Sequence, residues 1–120
     1  MSFIPLPHAL ATVFAVVVIA HGLVHLLGAA KGLRLANVAQ LERPISAPVG
    51  MLWLLAALGL VLSAVLVLTG SAHWWTAALP SVLLSQTLIL MSWKDARFGT
   101  VANVIVIVPT VLSLWLAVWR

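Results

Sequence analysis

The chain has 120 residues, 64% of them hydrophobic and only 7% charged, with a mean hydropathy of +1.23. Soluble domains run at about 45–50% apolar and about 25% charged, and disordered chains have less still to bury, so both classes are excluded. What remains is an integral membrane protein.

Missing residue types narrow the chemistry. The absence of cysteine removes thiol redox catalysis, disulfides, thiolate metal sites and iron–sulfur clusters. The absence of tyrosine removes phenolic acid catalysis and tyrosyl radicals. With two acids, Glu42 and Asp95, a di-metal site bridged by several glutamates cannot be built. The net charge of +4 and the isoelectric point near 11.6 come from six cations against two anions. In a membrane chain that balance reports topology and anionic headgroups, and no nucleic-acid partner is expected.

A spanning helix needs about 20 mostly apolar residues. Four windows qualify, Ala9–Ala30, Val49–Thr69, Trp75–Trp93 and Thr100–Trp119, and none contains Asp, Glu, Lys or Arg. Strand-like alternation is absent, so the expected fold is all-α: a single transmembrane domain over 1–120, a four-helix bundle with antiparallel up-down topology. The connections Gly70–Trp74 and Lys94–Gly99 are too short for anything but antiparallel neighbours. No cation precedes the first window, so it reads as a span and not as a cleaved signal peptide.

The stretch Lys31–Val38 after the first span predicts a short helix lying in the interface. Pro44 and Pro48 end it, and Ser46 is placed to cap the second span. Ala56, Gly59 and Ser63 give that span a small-residue face suited to close helix contact. Pro80 and Pro109 interrupt the third and fourth spans, with Thr110 positioned to satisfy a carbonyl that Pro109 frees. Lys31-x-x-Arg34 and Lys94-x-x-Arg97 repeat after each odd-numbered span, which reads first as two inner loops needing cations and second as a duplicated hairpin.

Histidines carry the main chemical signal. His21 and His25 lie four apart in the first span and share one face. Three readings compete, in this order: hydrogen-bonded residues of the bundle interior; a metal or tetrapyrrole site completed by another helix or chain; and a quinone, proton or solute site. Ser81, Ser85 and Ser92 form a stripe on the third span that leads to Asp95, with Gln86 beside it, and Asn103 shares a face of the fourth span with Thr110. Polar groups at this depth must find partners, so Ser85, Gln86, Ser92, Asp95 and Asn103 are candidates for one polar pocket with His25. Contact between Asp95 and His25, through the turn or a water, is expected. Met51 and Met91 with His25 offer a weaker copper(I) reading. His8 and His73 read as interfacial anchors before an external metal site.

Length and span number resemble small multidrug resistance transporters, and the gross architecture resembles DoxX-like membrane proteins. The transporter mechanism depends on a glutamate within the first helix, where this chain has no acid. The favoured function is a non-catalytic subunit or homo-oligomer with a histidine-lined polar pocket in the inner leaflet. The alternatives are a metal, tetrapyrrole or quinone binder using His21 or His25, and a small transporter or channel. Catalysis by this chain alone is not expected, since no nucleophile–base–acid set is present.

Lys31, Arg34, Arg43, Lys94 and Arg97 lie on the first and third loops, with Arg120 alone on the opposite side. Trp53 and Trp93 mark one boundary, and Trp74, Trp75, Trp115 and Trp119 the other. The positive-inside rule then places both basic loops in the cytoplasm of a multi-pass cell-membrane protein, with both termini external. Cysteines introduced into the loop 31–48 should therefore resist impermeant thiol reagents in intact cells, and one beside Arg120 should react. The reverse labelling pattern would reject this orientation.

Overall fold

The computed structural model describes residues 7–119 and is 80% helical, with no strands among those residues. The helices are α1 (His8–Gly32), α2 (Ala47–Leu68), α3 (Trp74–Met91), α4 (Trp93–Ala96) and α5 (Gly99–Trp119). All but the four-residue α4 are long and apolar enough to cross a membrane. The molecule's longest dimension, 45 Å, is that of a bilayer with its headgroup layers, about 40–45 Å. Arg120 lies outside the described residues.

Helix ends follow from local chemistry, and two differ from expectation. Ser46 caps α2 by accepting a hydrogen bond from the Val49 N–H at 3.4 Å, and Pro48 sits in the first turn where no N–H is needed. No interfacial helix follows α1. Arg34 adopts a left-handed φ of 57°, and Leu35 N–H turns back to Ala30 C=O at 2.8 Å, which closes the helix; Ala36 to Ser46 then run as turns and extended chain. The third span stops at Met91 because Ser92, at φ −118° and ψ 35°, leaves the helical region, and Trp93 begins α4 instead. Both Lys31-x-x-Arg34 and Lys94-x-x-Arg97 straddle a helix end, of α1 and of the short α4, but Arg34 is left-handed at φ 57° and Arg97 right-handed at φ −52°.

Lipid is as apolar as leucine, so membrane helices gain little by hiding apolar side chains from it; they associate through close approach and hydrogen bonds. The interior here is correspondingly small. Ala15, Ala56, Ala57, Ala64 and Ala78 are fully buried, while most large aliphatic side chains face outward. At the α1–α2 contact, a Cβ on Gly32 would stand 2.6 Å from Gly50 Cα and 2.8 Å from Ser46 O. Gly59 lies against Ser81 in the same way and brings α2 to α3, while Ser63 returns its hydroxyl to Gly59 C=O at 2.7 Å. α2 packs on α1 and α3, and α5 rests mainly on α3, touching α1 only lightly. Of α5, only Asn103, Val106 and Thr110 are buried, one stripe of a mostly lipid-exposed helix. The Thr110 hydroxyl bonds Val106 C=O at 2.7 Å, so it does not serve the Ile105 carbonyl that Pro109 deprives of a donor.

Two apolar clusters fill the interior. One gathers Ala15, Val18, Leu60, Ala64, Trp74, Ala78, Val82 and Val106. The other, toward the end bearing the basic loops, gathers Ala29, Trp53, Ala56, Leu88 and Ile89. By residue order on each helix, His21, His25, Ser85 and Asn103 fall between the two. A polar layer divides the core.

Because Gly32 meets backbone and not a flexible side chain, Gly32→Ala should push α1 from α2 and destabilise the protein by about 1–3 kcal/mol. Val104→Ala on the exposed face of α5 should be near neutral. Reversible unfolding in mixed micelles, followed by circular dichroism, distinguishes them.

Candidate functional site

The spacing of four brings the two histidine rings edge to face, centroids 4.6 Å apart, on the inner side of α1. Both are buried, His25 almost completely. His25 Nδ1 lies 2.8 Å from His21 C=O, and its Nε2 lies 2.7 Å from Ser85 Oγ. His21 Nε2 lies 2.7 Å from Asn103 Oδ1. The Asn103 amide is oriented by Gln86: Asn103 Nδ2 donates to Gln86 Oε1 at 2.9 Å, and Gln86 Nε2 donates to Thr100 Oγ1 at 3.1 Å. Three helices thus supply one connected network.

Donor–acceptor accounting assigns the protons. A carbonyl oxygen only accepts, so His25 must donate from Nδ1 and His21 from Nε2. The neutral histidines are therefore in opposite tautomers. Ser85 has one hydroxyl proton and two acceptors in reach, His25 Nε2 at 2.7 Å and Asn103 Oδ1 at 3.1 Å. With His25 neutral, the hydroxyl donates to the histidine. A proton added at His25 Nε2 would turn it to Asn103, so the same heavy-atom frame accommodates either charge state. Of the four ring nitrogens, His21 Nδ1 alone has no partner among the described residues, and its tautomer leaves that nitrogen with a bare lone pair.

A cavity of about 250 Å³ opens beside this network at the basic end, between α1 and the start of α5. His21, His25, Gly28, Trp53, Ile89, Phe98 and Gly99 line it, with Gln40, Leu41 and Asp95 at its polar rim. Trp53 is 4% exposed and stands 5.1 Å from the His25 ring, centroid to centroid. It fits only because Gly28 has no side chain: a Cβ there would enter the indole. The Trp53 Nε1–H is buried with no acceptor. The Trp75 Nε1–H is enclosed and unpartnered in the same way among the described residues, so an orphaned indole does not by itself single out this wall.

The residues expected to form the pocket separate into two groups. His21, His25, Ser85, Gln86 and Asn103 meet. Ser92 does not join them; it is buried at the α3–α4 junction, where its carbonyl accepts from the Asp95 and Ala96 N–H groups. Asp95 lines the cavity but is not hydrogen-bonded to His25, both of whose nitrogens are taken. Its carboxylate accepts the Arg43 backbone N–H at 2.9 Å, and that bond holds its pKa below the usual carboxylate value. Beside it, Lys94 and Glu42 form an exposed ion pair at 2.6 Å, and the carboxylate raises the lysine pKa. Exposed pairs of this kind contribute about 0–1 kcal/mol.

Met51 and Met91 are half exposed and face away from the interior, so they do not assemble a copper site with His25. His8 and His73 are exposed. No group of three or more His, Cys, Asp or Glu side chains converges among the described residues, and within this network the one histidine nitrogen without a partner among them is His21 Nδ1. Trp53, Gly28, Gly99 and Thr100 belong to the site although sequence reading passed over them. Thr100 was detectable, three residues before Asn103 and on the same helix face. Trp53 reads as a boundary marker until its orientation is seen.

With His25 neutral, Asn103 serves His21 and Gln86 at the buried centre of the network, and Gln86 serves Asn103 and Thr100 at its half-buried edge. Asn103→Leu should therefore destabilise by about 1–3 kcal/mol by leaving His21 Nε2–H and Gln86 unmet. Gln86→Leu should cost under about 1 kcal/mol, near the average for membrane hydrogen bonds. Unfolding in mixed micelles tests the order.

Comparison with protein-family models, with curated proteins and with solved structures finds no match to this chain.

Proposed function

We propose that this protein is a non-catalytic membrane subunit, working in a larger assembly or as a homo-oligomer, that holds the head group of a lipid-dissolved amphiphile in a histidine-lined pocket in the inner leaflet. In this reading the helices run antiparallel and up-down, the basic loops are cytoplasmic, the termini are external, and the bilayer is the constant partner. The observation that carries it is the cavity beside His21: an open space at one membrane boundary, walled by apolar groups and by a preassembled polar network with one unused acceptor.

Three features support holding over transforming. The network consists of neutral hydrogen-bonding groups, with no nucleophile beside a base and an acid. The cavity, at about 250 Å³, is smaller than the about 300–1,000 Å³ of pockets that enclose whole drug-sized ligands, so it suits a head group whose tail stays outside. Val24 and Leu27 are exposed at its margin, and α1 touches α5 only lightly there, which gives a ligand entry from lipid.

Gly99 provides the test. A Cβ at Gly99 would stand 3.5 Å from His21 Cε1, and its closest contact, Ile89 Cδ1 at 2.7 Å, is the end of a flexible side chain that can move aside. Gly99→Leu should fill the cavity and spare the hydrogen-bond network. Native mass spectrometry of protein extracted in mild detergent should show an amphiphile adduct on the wild type that this variant loses. Equal spectra for the two proteins would count against the pocket. A visible absorption band or stoichiometric metal lost in His21→Ala would instead establish the metal or tetrapyrrole alternative.

A further inference from the structure

Resting on the pocket reading above, the unused ring nitrogen of His21 defines what kind of head group fits. His21 commits its Nε2–H to Asn103, so the only atom it can offer a ligand is the Nδ1 lone pair. A ligand must donate a proton to it. A carbonyl, an ether or a carboxylate cannot. A hydroxyl meets this requirement by donating its proton. Trp53 lines the same cavity with its ring, while its Nε1–H is enclosed and offers a ligand nothing.

Charge removes the main competitors. Asp95 is the only charged side chain lining the cavity, and no lysine or arginine lines it, so an anionic head group would meet repulsion and no counterion. A lipophilic ammonium could donate to His21 and approach Asp95. Lys31, Arg34, Arg43, Lys94 and Arg97 all lie near this end, so a cation there would meet their repulsion. The titratable groups on the cavity are His21, His25 and Asp95; α2 contributes only neutral Trp53 and α3 only Ile89.

Shape completes the assignment. The remaining wall is Val24, Leu27, Gly28, Ile89, Phe98 and the Trp53 face, with little room beyond a single ring. We propose that the cavity binds the head group of a membrane-dissolved phenol or hydroquinone, its hydroxyl donating to His21 Nδ1. Ring faces then lie along Trp53 and Phe98, where aromatic contacts add to apolar burial.

The experiment compares a short-chain alkylhydroquinone, its dimethyl ether and an alkylbenzylamine, each titrated by calorimetry under anaerobic conditions into wild-type protein and Gly99→Leu in nanodiscs. The hydroquinone should bind the wild type at least about tenfold more tightly than the ether, which keeps the shape but cannot donate. Gly99→Leu should abolish this binding while retaining wild-type helicity. ¹⁵N spectra of labelled histidine should show the His21 Nδ1 signal moving with the hydroquinone and not with the ether. If hydroquinone and ether bind equally and Gly99→Leu abolishes both, the pocket stands and the hydroxyl assignment is overturned. Tighter binding of the amine overturns the assignment in the same way. If no probe's binding responds to Gly99→Leu, the pocket reading itself fails.

Discussion

The Asn103 carboxamide is the joint on which the arrangement turns. α5 buries only one narrow stripe and touches α1 lightly, yet its Asn103 reaches His21 at 2.7 Å, Ser85 at 3.1 Å and Gln86 at 2.9 Å. In a soluble bundle such a helix would be held by burying leucines. Inside a bilayer that force is absent between helices, and an unmet amide would be costly in hydrocarbon. A single polar residue can therefore locate a helix whose other faces are interchangeable with lipid. The small-residue contacts at Gly32, Gly50 and Gly59 do the corresponding work for α1, α2 and α3, through proximity instead of polarity.

The same joint shapes the cavity's chemistry. Gln86 orients the Asn103 amide, the amide places the proton of His21 on Nε2, and this leaves Nδ1 without a partner among the described residues, on a ring that lines the cavity. His25 is held the other way by the carbonyl of its own helix. Two identical side chains one turn apart thus have different jobs: His25 ties α1 to Ser85 of α3, and His21 presents a lone pair. Trp53, seated in the gap left by Gly28, closes the cavity on the α2 side with the face of its ring.

Hydropathy made the four spans readable, because the cost of a charge in hydrocarbon is large and local in sequence. Ser46 was readable as a cap for the same reason: capping depends on residues a few positions apart. Facing was less accessible. The spacing of His21 and His25 says that they share a face, but which helices stand opposite depends on order around the bundle. Trp53 therefore looks like a boundary marker by depth while being an interior residue by orientation. Long-range loop geometry was beyond reach. Nothing local announces that Arg34 adopts a left-handed conformation, or that the Arg43 N–H, 52 residues away, takes the Asp95 carboxylate that otherwise pointed to His25.

One proton assignment governs the chemistry of the cavity, and ¹⁵N spectroscopy of histidine-labelled protein in bilayers reads it directly. At neutral pH His21 should carry its proton on Nε2 with a bare Nδ1, and His25 should carry its proton on Nδ1 with a bare Nε2. Opposite tautomers one helical turn apart would establish that Asn103 and the helix carbonyl set the two rings independently. A His21 proton on Nδ1, or the same tautomer at both positions, would contradict it.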